Sequence, residues 1–277
     1  MMKQYFTTCF YLLLIGLVFG LKLKKRNKTN RAFQKMILDQ DKVVFITGGS
    51  SGLGRALAVH FSELGFIVHF CGRSLEEMKV TLSLLHENKN HRFYQVDLTD
   101  DKQLQELYQK IKSIHFEYCI LNAGVGFQNC SADLPTTNRV FATNVASVAF
   151  LAMNLQYQRL GLVASPQALY PLKNRSLYAA SKSAVYQLGN CLRMDGREVT
   201  ICLPRWFESN LRQNALGVGV NQQKAKKAVG VEGIAKRFIL DMVKGERESC
   251  GKWADKAAQI GWIVAPKLVE KIVGKMQ

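Results

Sequence analysis

From Lys42 onward the chain alternates between two kinds of segment, and this alternation limits the fold more than any other feature. Short apolar runs at 42–47, 66–71, 92–96, 117–121, 159–164 and 198–203 are separated by amphipathic stretches at 53–64, 75–88, 100–113, about 138–155 and 178–194. Strands that recur with a helix-length segment between them predict a parallel sheet covered on both faces, a doubly wound α/β domain. Ligands of such sheets gather at the carboxyl ends of the strands, and the polar motifs of this chain fall there. At 277 residues and 48% hydrophobic content, the sequence is long enough for one such domain and an appendage.

The first of these strand ends carries Thr47-Gly48-Gly49-Ser50-Ser51-Gly52-Leu53-Gly54, between the run Val43-Val44-Phe45-Ile46 and a helical stretch opening at Arg55. A strand, a glycine turn and a helix N-terminus form an anion site, because free N–H groups and the helix dipole both favour a phosphate. The spacing Gly-x-x-x-Gly-x-Gly differs by one step from the G-x-G-x-x-G fingerprint. Gly48 to Gly52 also reads as G-x-S-x-G, the turn that exposes a hydrolase serine. That chemistry needs a histidine base later in the chain. The five histidines are residues 60, 69, 86, 91 and 115, none in the C-terminal half, so the hydrolase reading is set aside.

The amino terminus is of another kind. Tyr5 to Leu21 is almost wholly apolar and, with its flanks, reaches the roughly 20 residues that cross a bilayer. Lys22, Lys24, Lys25, Arg26, Lys28 and Arg31 follow it, against Lys3 alone before it. The expectation is a single-pass anchor with basic flank over 1–30, a linker over 31–41 and a domain on the cytoplasmic side. A peripheral helix and a cleaved leader are the alternatives. The net charge of +17 comes without a recognition helix or zinc knuckle, so membrane lipid rather than nucleic acid is the expected partner. Seven scattered cysteines lack C-x-x-C pairs, which predicts neither a disulfide framework nor a metal site.

Tyr178 and Lys182 stand four apart on a predicted helix, so both project from one face. A nearby ammonium favours the phenolate of a tyrosine, which makes this pair a proton donor and acceptor near neutral pH. Together with the other strand-end motifs, the pair resembles the short-chain dehydrogenase/reductase family from about Lys42 to beyond Ser209. Tyr178-Ala179-Ala180-Ser181-Lys182 is similar to its Tyr-x-x-x-Lys signature, Ser165 falls at the position of its serine, and Asn144 matches its asparagine. The resemblance implies a Rossmann-type domain over 42–277 and a catalytic set of Asn144, Ser165, Tyr178 and Lys182. It assigns cofactor contacts to Thr47, Gly48, Ser50, Ser51, Gly52, Leu53 and Gly54. Arg73, Asp97, Asn122, Ala123, Gly124, Tyr178, Lys182 and Ser209 complete that set. Asp97 would contact adenine, and Ser165 would polarise the substrate oxygen.

After the second strand, Gly72 and Arg73 stand where an NAD enzyme carries an acid for the ribose hydroxyl. An arginine grips a 2′-phosphate instead, so NADPH (NADP) is expected over NAD. Arg205 departs from the family, which has a glycine after the proline at Pro204. The stretch from Asn144 to Ser165 and the turn at 195–197 are shorter than usual, on the helices where the family commonly pairs. A homodimer therefore stays open. The loop at about 206–229 is apolar with few charges until Lys224, and Ile260 to Ala265 is followed by an amphipathic tail over 267–276. An anchored reductase with such a loop suits a lipophilic ketone or alcohol: a ketosphinganine, a steroid or retinoid-like ketone, or a fatty-chain ketone. The competing reading is a nucleotide-binding sensor or scaffold without turnover, for which Arg205 is the hint.

Overall fold

The computed structural model describes residues 42–87, 90–204, 216, 230–251, 253–267 and 269. The expected anchor and linker, Arg205, Ser209, most of the 206–229 loop and most of the 267–276 tail lie outside the described residues. Within them, seven strands form one parallel sheet in the order β3-β2-β1-β4-β5-β6-β7. The strands are β1 (Val43–Thr47), β2 (Ile67–Gly72), β3 (Arg92–Gln95), β4 (His115–Leu121), β5 (Gln156–Val163), β6 (Val199–Cys202) and β7 (Glu248–Ser249). Helices α1 (Gly52–Glu63), α2 (Leu75–Ser83), α3 (Asp101–Ile111), α4 (Leu134–Phe141), α5 (Ser147–Asn154) and α6 (Ser176–Met194) alternate with them. Helices α7 (Val231–Val243) and α8 (Trp253–Val264) follow. The doubly wound α/β architecture read from the alternation is the one observed, with the Rossmann-type sheet that the resemblance implied.

Burial explains why the central strands are apolar on both faces. Phe45, Phe116, Cys119, Leu121, Leu160 and Leu162 share one core with Leu104, Leu107 and Ile111 of α3, Leu151 of α5 and Val185 of α6. On β5 the residue between Leu160 and Leu162 faces the other way. It is Gly161, and a Cβ there would come within 2.9 Å of Phe238 and 3.0 Å of Met242 on α7. So α7 covers the second face, packed beside α1. Three helix starts are fixed by side chains that accept a backbone N–H: Ser74 from Glu77, Asp100 from Gln103 and Asp133 from Thr136.

Three differences from the sequence reading have physical causes. The helix expected over 138–155 runs from Leu134 to Asn154, broken by a π-helical turn at Ala142–Ala146. Apolar periodicity does not register one inserted residue. Strand β7 has two residues, too short for a period. Helix α8 begins before the apolar run at Ile260, because its first turn is polar and carries Asp255.

Candidate active site

Chain order reverses between β1 and β4, and the crevice opens where these two strands end. Thr47 pairs with Leu121 there. The Thr47 hydroxyl accepts from the backbone N–H groups of Asn122 and Ala123, each at 3.0 Å. The Asn122 side-chain amide donates back to the carbonyls of Thr47 at 3.0 Å and Gly48 at 3.3 Å. Two strand ends are thereby tied by side chains where the ladder stops.

The glycine turn is built for close approach. Gly48 and Gly52 have φ of +67° and +51°, the left-handed region that favours glycine. A Cβ on Gly54 would lie 2.1 Å from the Gly48 carbonyl oxygen, so the first turn of α1 rests directly on the loop. No side chain caps α1 at Ser51. Its N-terminal residues, Ser51 to Leu53, line the crevice with Gly48, Ser50, Gly72, Arg73, Asp97 and the Asn122–Val125 backbone. This cradle fits a dinucleotide: N–H donors at a helix start, no Cβ in the way and a long cleft beyond.

Arg55 braces that cradle and escaped the sequence reading. Its guanidinium donates to the Ser50 carbonyl, to the Glu77 carboxylate at 2.5 Å and to the Thr81 hydroxyl at 3.0 Å. The loop, α1 and α2 meet in this one side chain. At the far end of the cleft, Arg73 is exposed and Asp97 faces it. Burial raises the Asp97 pKa. The Thr99 N–H and hydroxyl, then the Arg73 and Arg139 charges, outweigh it and hold the carboxyl below its usual range.

The expected proton-handling residues converge at the other end. Asn144 is fully buried inside the π-helical turn, a kind of insertion often found at functional sites. Its carbonyl oxygen accepts from the Val125 N–H at 2.8 Å. Its amide donates to the Val125 carbonyl and to the Ser181 hydroxyl, both at 3.0 Å. Ser181 in turn donates to the Tyr178 carbonyl at 2.8 Å. Lys182 is buried, donates from Nζ to the Val163 carbonyl at 2.9 Å, and stands beside the Tyr178 ring. A Cβ on Gly124 would come 3.2 Å from both Asn144 Oδ1 and Lys182 Nζ. Backbone of the cleft and these side chains therefore share one small space.

Burial moves both titrating groups. It lowers Lys182 from an ordinary 10.5 to about 8. It raises the Tyr178 phenol, against the opposing pull of the Ser165 hydroxyl and the Arg175 charge. Ser165 itself is buried at the end of β5 and accepts from the Gln167 N–H at 3.3 Å. So Asn144, Ser165, Tyr178 and Lys182 come together, the glycine turn with Asn122–Gly124 forms the floor, and Arg73 with Asp97 forms the distant rim. Ser181, the Val125 backbone and the Val163 carbonyl were not anticipated. Ser181 had one signal, its place three residues after Tyr178, one turn along the same face.

Comparison with known proteins bears on the family and the fold. A curated relative, dehydrogenase/reductase SDR family member 7B of Xenopus tropicalis, is 31% identical over 208 residues, 66% of this chain and 66% of the relative. The chain spans between 61% and 66% of the length of three such relatives. A short-chain dehydrogenase from Sphingobium yanoikuyae in complex with NADPH has the same fold, with a TM-score of 0.69 at 20% identity. That match covers 81% of this chain and 95% of the other. A family member from Burkholderia phymatum in complex with NAD superposes with a TM-score of 0.71 at 19% identity, over 83% and 95%. The short chain dehydrogenase family model matches residues 42–215, the whole stretch that carries the glycine turn, Asn144, Ser165 and the Tyr178–Lys182 pair. By its sequence, its sheet and these motifs, the chain belongs to the short-chain dehydrogenase/reductase family of oxidoreductases.

Proposed function

We propose that this protein interconverts a ketone and a secondary alcohol with NADPH, on a lipophilic substrate, from a membrane-anchored position. The observation that carries the reading is the buried Lys182 beside Tyr178, next to Ser165 and backed by Asn144. A reduced nicotinamide supplies the hydride when bound. The residues of the chain handle the proton: Tyr178 donates it to the substrate oxygen, and Ser165 hydrogen-bonds that oxygen as its charge develops. Lys182 stabilises the phenolate left behind. Asn144 holds the Val125 backbone, and so fixes the floor against which the substrate would lie.

NADPH rather than NADH is favoured by Arg73 at the rim and by Gly72 beside it, where no acid repels a 2′-phosphate. The anchor rests on the apolar run at 5–21 and the basic residues after it. The lipophilic substrate rests on that anchor and on the apolar loop at about 206–229.

The deciding experiment is turnover of a panel of lipophilic ketones with NADPH by the full chain solubilised in detergent. Oxidation of NADPH with at least one long-chain, steroid or retinoid-like ketone is the expected result. Tight NADPH binding without turnover of any of them would favour the sensor or scaffold reading instead.

A further inference from the structure

A separate cleft of about 300 Å³ lies at the opposite end of the sheet, where β6 and β7 begin. Arg159, Arg193, Arg197 and Arg247 line it, with Glu198 as the lining carboxylate. Glu198 is taken by Arg159, whose Nε donates to it at 2.7 Å. Two of the other arginines serve partly as staples. Arg193 donates to the Val199 carbonyl at 3.0 Å and the Arg247 carbonyl at 2.6 Å. Arg197 donates from one nitrogen to the Ala152 carbonyl at 2.7 Å and the Tyr157 hydroxyl at 2.8 Å.

The Arg247 guanidinium is different. It is exposed and makes no hydrogen bond or ion pair among the described residues, while its charge opposes that of Arg193. Four guanidiniums against one carboxylate leave the lining with a net +3. Like charges held this close are costly unless an anion sits between them. A singly charged carboxylate would offset a third of that excess. A dianion with several acceptor oxygens offsets two thirds of it and suits the fork geometry of arginine.

We propose that this cleft binds a phosphomonoester dianion, gripped by Arg247 and by the edge of Arg197 that Ala152 and Tyr157 leave unused. The site does not depend on the dehydrogenase reading and lies away from the cofactor cleft. A phosphomonoester lipid headgroup and a soluble phosphomonoester are both within its chemistry.

The test uses the full chain in neutral detergent at constant ionic strength, with chloride as the reference anion. Inorganic phosphate, glycerol 3-phosphate and a short-chain phosphatidate are titrated by calorimetry and by thermal unfolding. Saturable binding is expected, weakened about tenfold or more by Arg247→Gln, since a charge-assisted contact is lost. Arg73→Ser, at the cofactor rim, should leave the Arg247-dependent binding unchanged. Phosphatidate binding much tighter than glycerol 3-phosphate assigns the site to a lipid headgroup, and equal binding assigns it to a soluble ligand. Binding that survives Arg247→Gln, or that vanishes in Arg73→Ser, overturns the proposal. So does the absence of stabilisation beyond chloride by all three compounds.

Discussion

Lys182 holds its Nζ 5.8 Å from the centre of the Tyr178 ring, one helical turn away along α6. The ammonium lies close enough to favour a phenolate, yet it is itself shielded from water. Tyr178→Phe removes the transferable proton and keeps the ring. Turnover should fall at least about a hundredfold, within the span of general acid catalysis. NADPH binding should persist, because the glycine turn is untouched. Near-normal turnover in a folded Tyr178→Phe protein would reject the assigned proton donor.

The same pair sets a pH dependence. Burial brings Lys182 from 10.5 to about 8, so its charge is present below that pH and lost above it. The Tyr178 phenol is shifted upward and keeps its proton through this range. For ketone reduction, kcat/KM should therefore be highest below about pH 8 and decline as pH rises through it. A profile that stays level from about pH 7 to 9 would contradict the role given to Lys182.

Cofactor choice should reside at the rim. Arg73→Ser should weaken NADPH about tenfold or more and leave NADH unchanged, because only the former carries the 2′-phosphate. Adding Gly72→Asp should then improve NADH binding through the ribose hydroxyls. Its Cβ would meet Ser50 Oγ at 3.0 Å and Ser50 Cβ at 3.1 Å, so the Ser50 loop must give by a few tenths of an ångström. Fluorescence titration of both cofactors decides the matter. Equal affinities in the unmodified protein would dismiss Arg73 as the discriminator.

Asn144 serves the backbone as much as the chemistry. Asn144→Ala would leave the buried N–H and carbonyl of Val125 without partners, at a cost of about 2–4 kcal/mol in stability. Ser181→Ala removes one neighbour of that amide and should cost less, about 1 kcal/mol. Denaturant unfolding of the two variants gives the ranking. A reversed order would mean that Ser181, and not Val125, is what fixes Asn144.

The apolar amino-terminal run should behave as an anchor. Full-chain protein should stay with membranes through washes in high salt, which screens basic attachment and leaves a spanning helix unaffected. Release by salt alone would exclude the span. Protease reaching the domain only from the extracytoplasmic side would overturn the orientation.

Much of this architecture was legible because its signals are local. Val43 to Thr47 is apolar on both faces because helices cover both, and the glycines after it mark a turn that side chains would block. Tyr178 and Lys182 needed only helical spacing. What escaped depends on partners far apart in sequence. Arg55 reads as an ordinary helix cation until Glu77 and Thr81 are folded against it. The π-helical turn around Asn144 leaves no mark in an apolar pattern, since Val140, Val148 and Leu151 remain buried on either side of it. The four arginines at the far end are spread from 159 to 247 and meet only through the register of β5, β6 and β7.

The Thr47 hydroxyl, shared between two successive amides of the neighbouring strand end, has a kinetic consequence. The crevice floor is held by the protein's own hydrogen bonds, so little backbone ordering should accompany cofactor capture. Cofactors should then load at similar, nearly encounter-limited rates. Differences between them would arise in how long each stays.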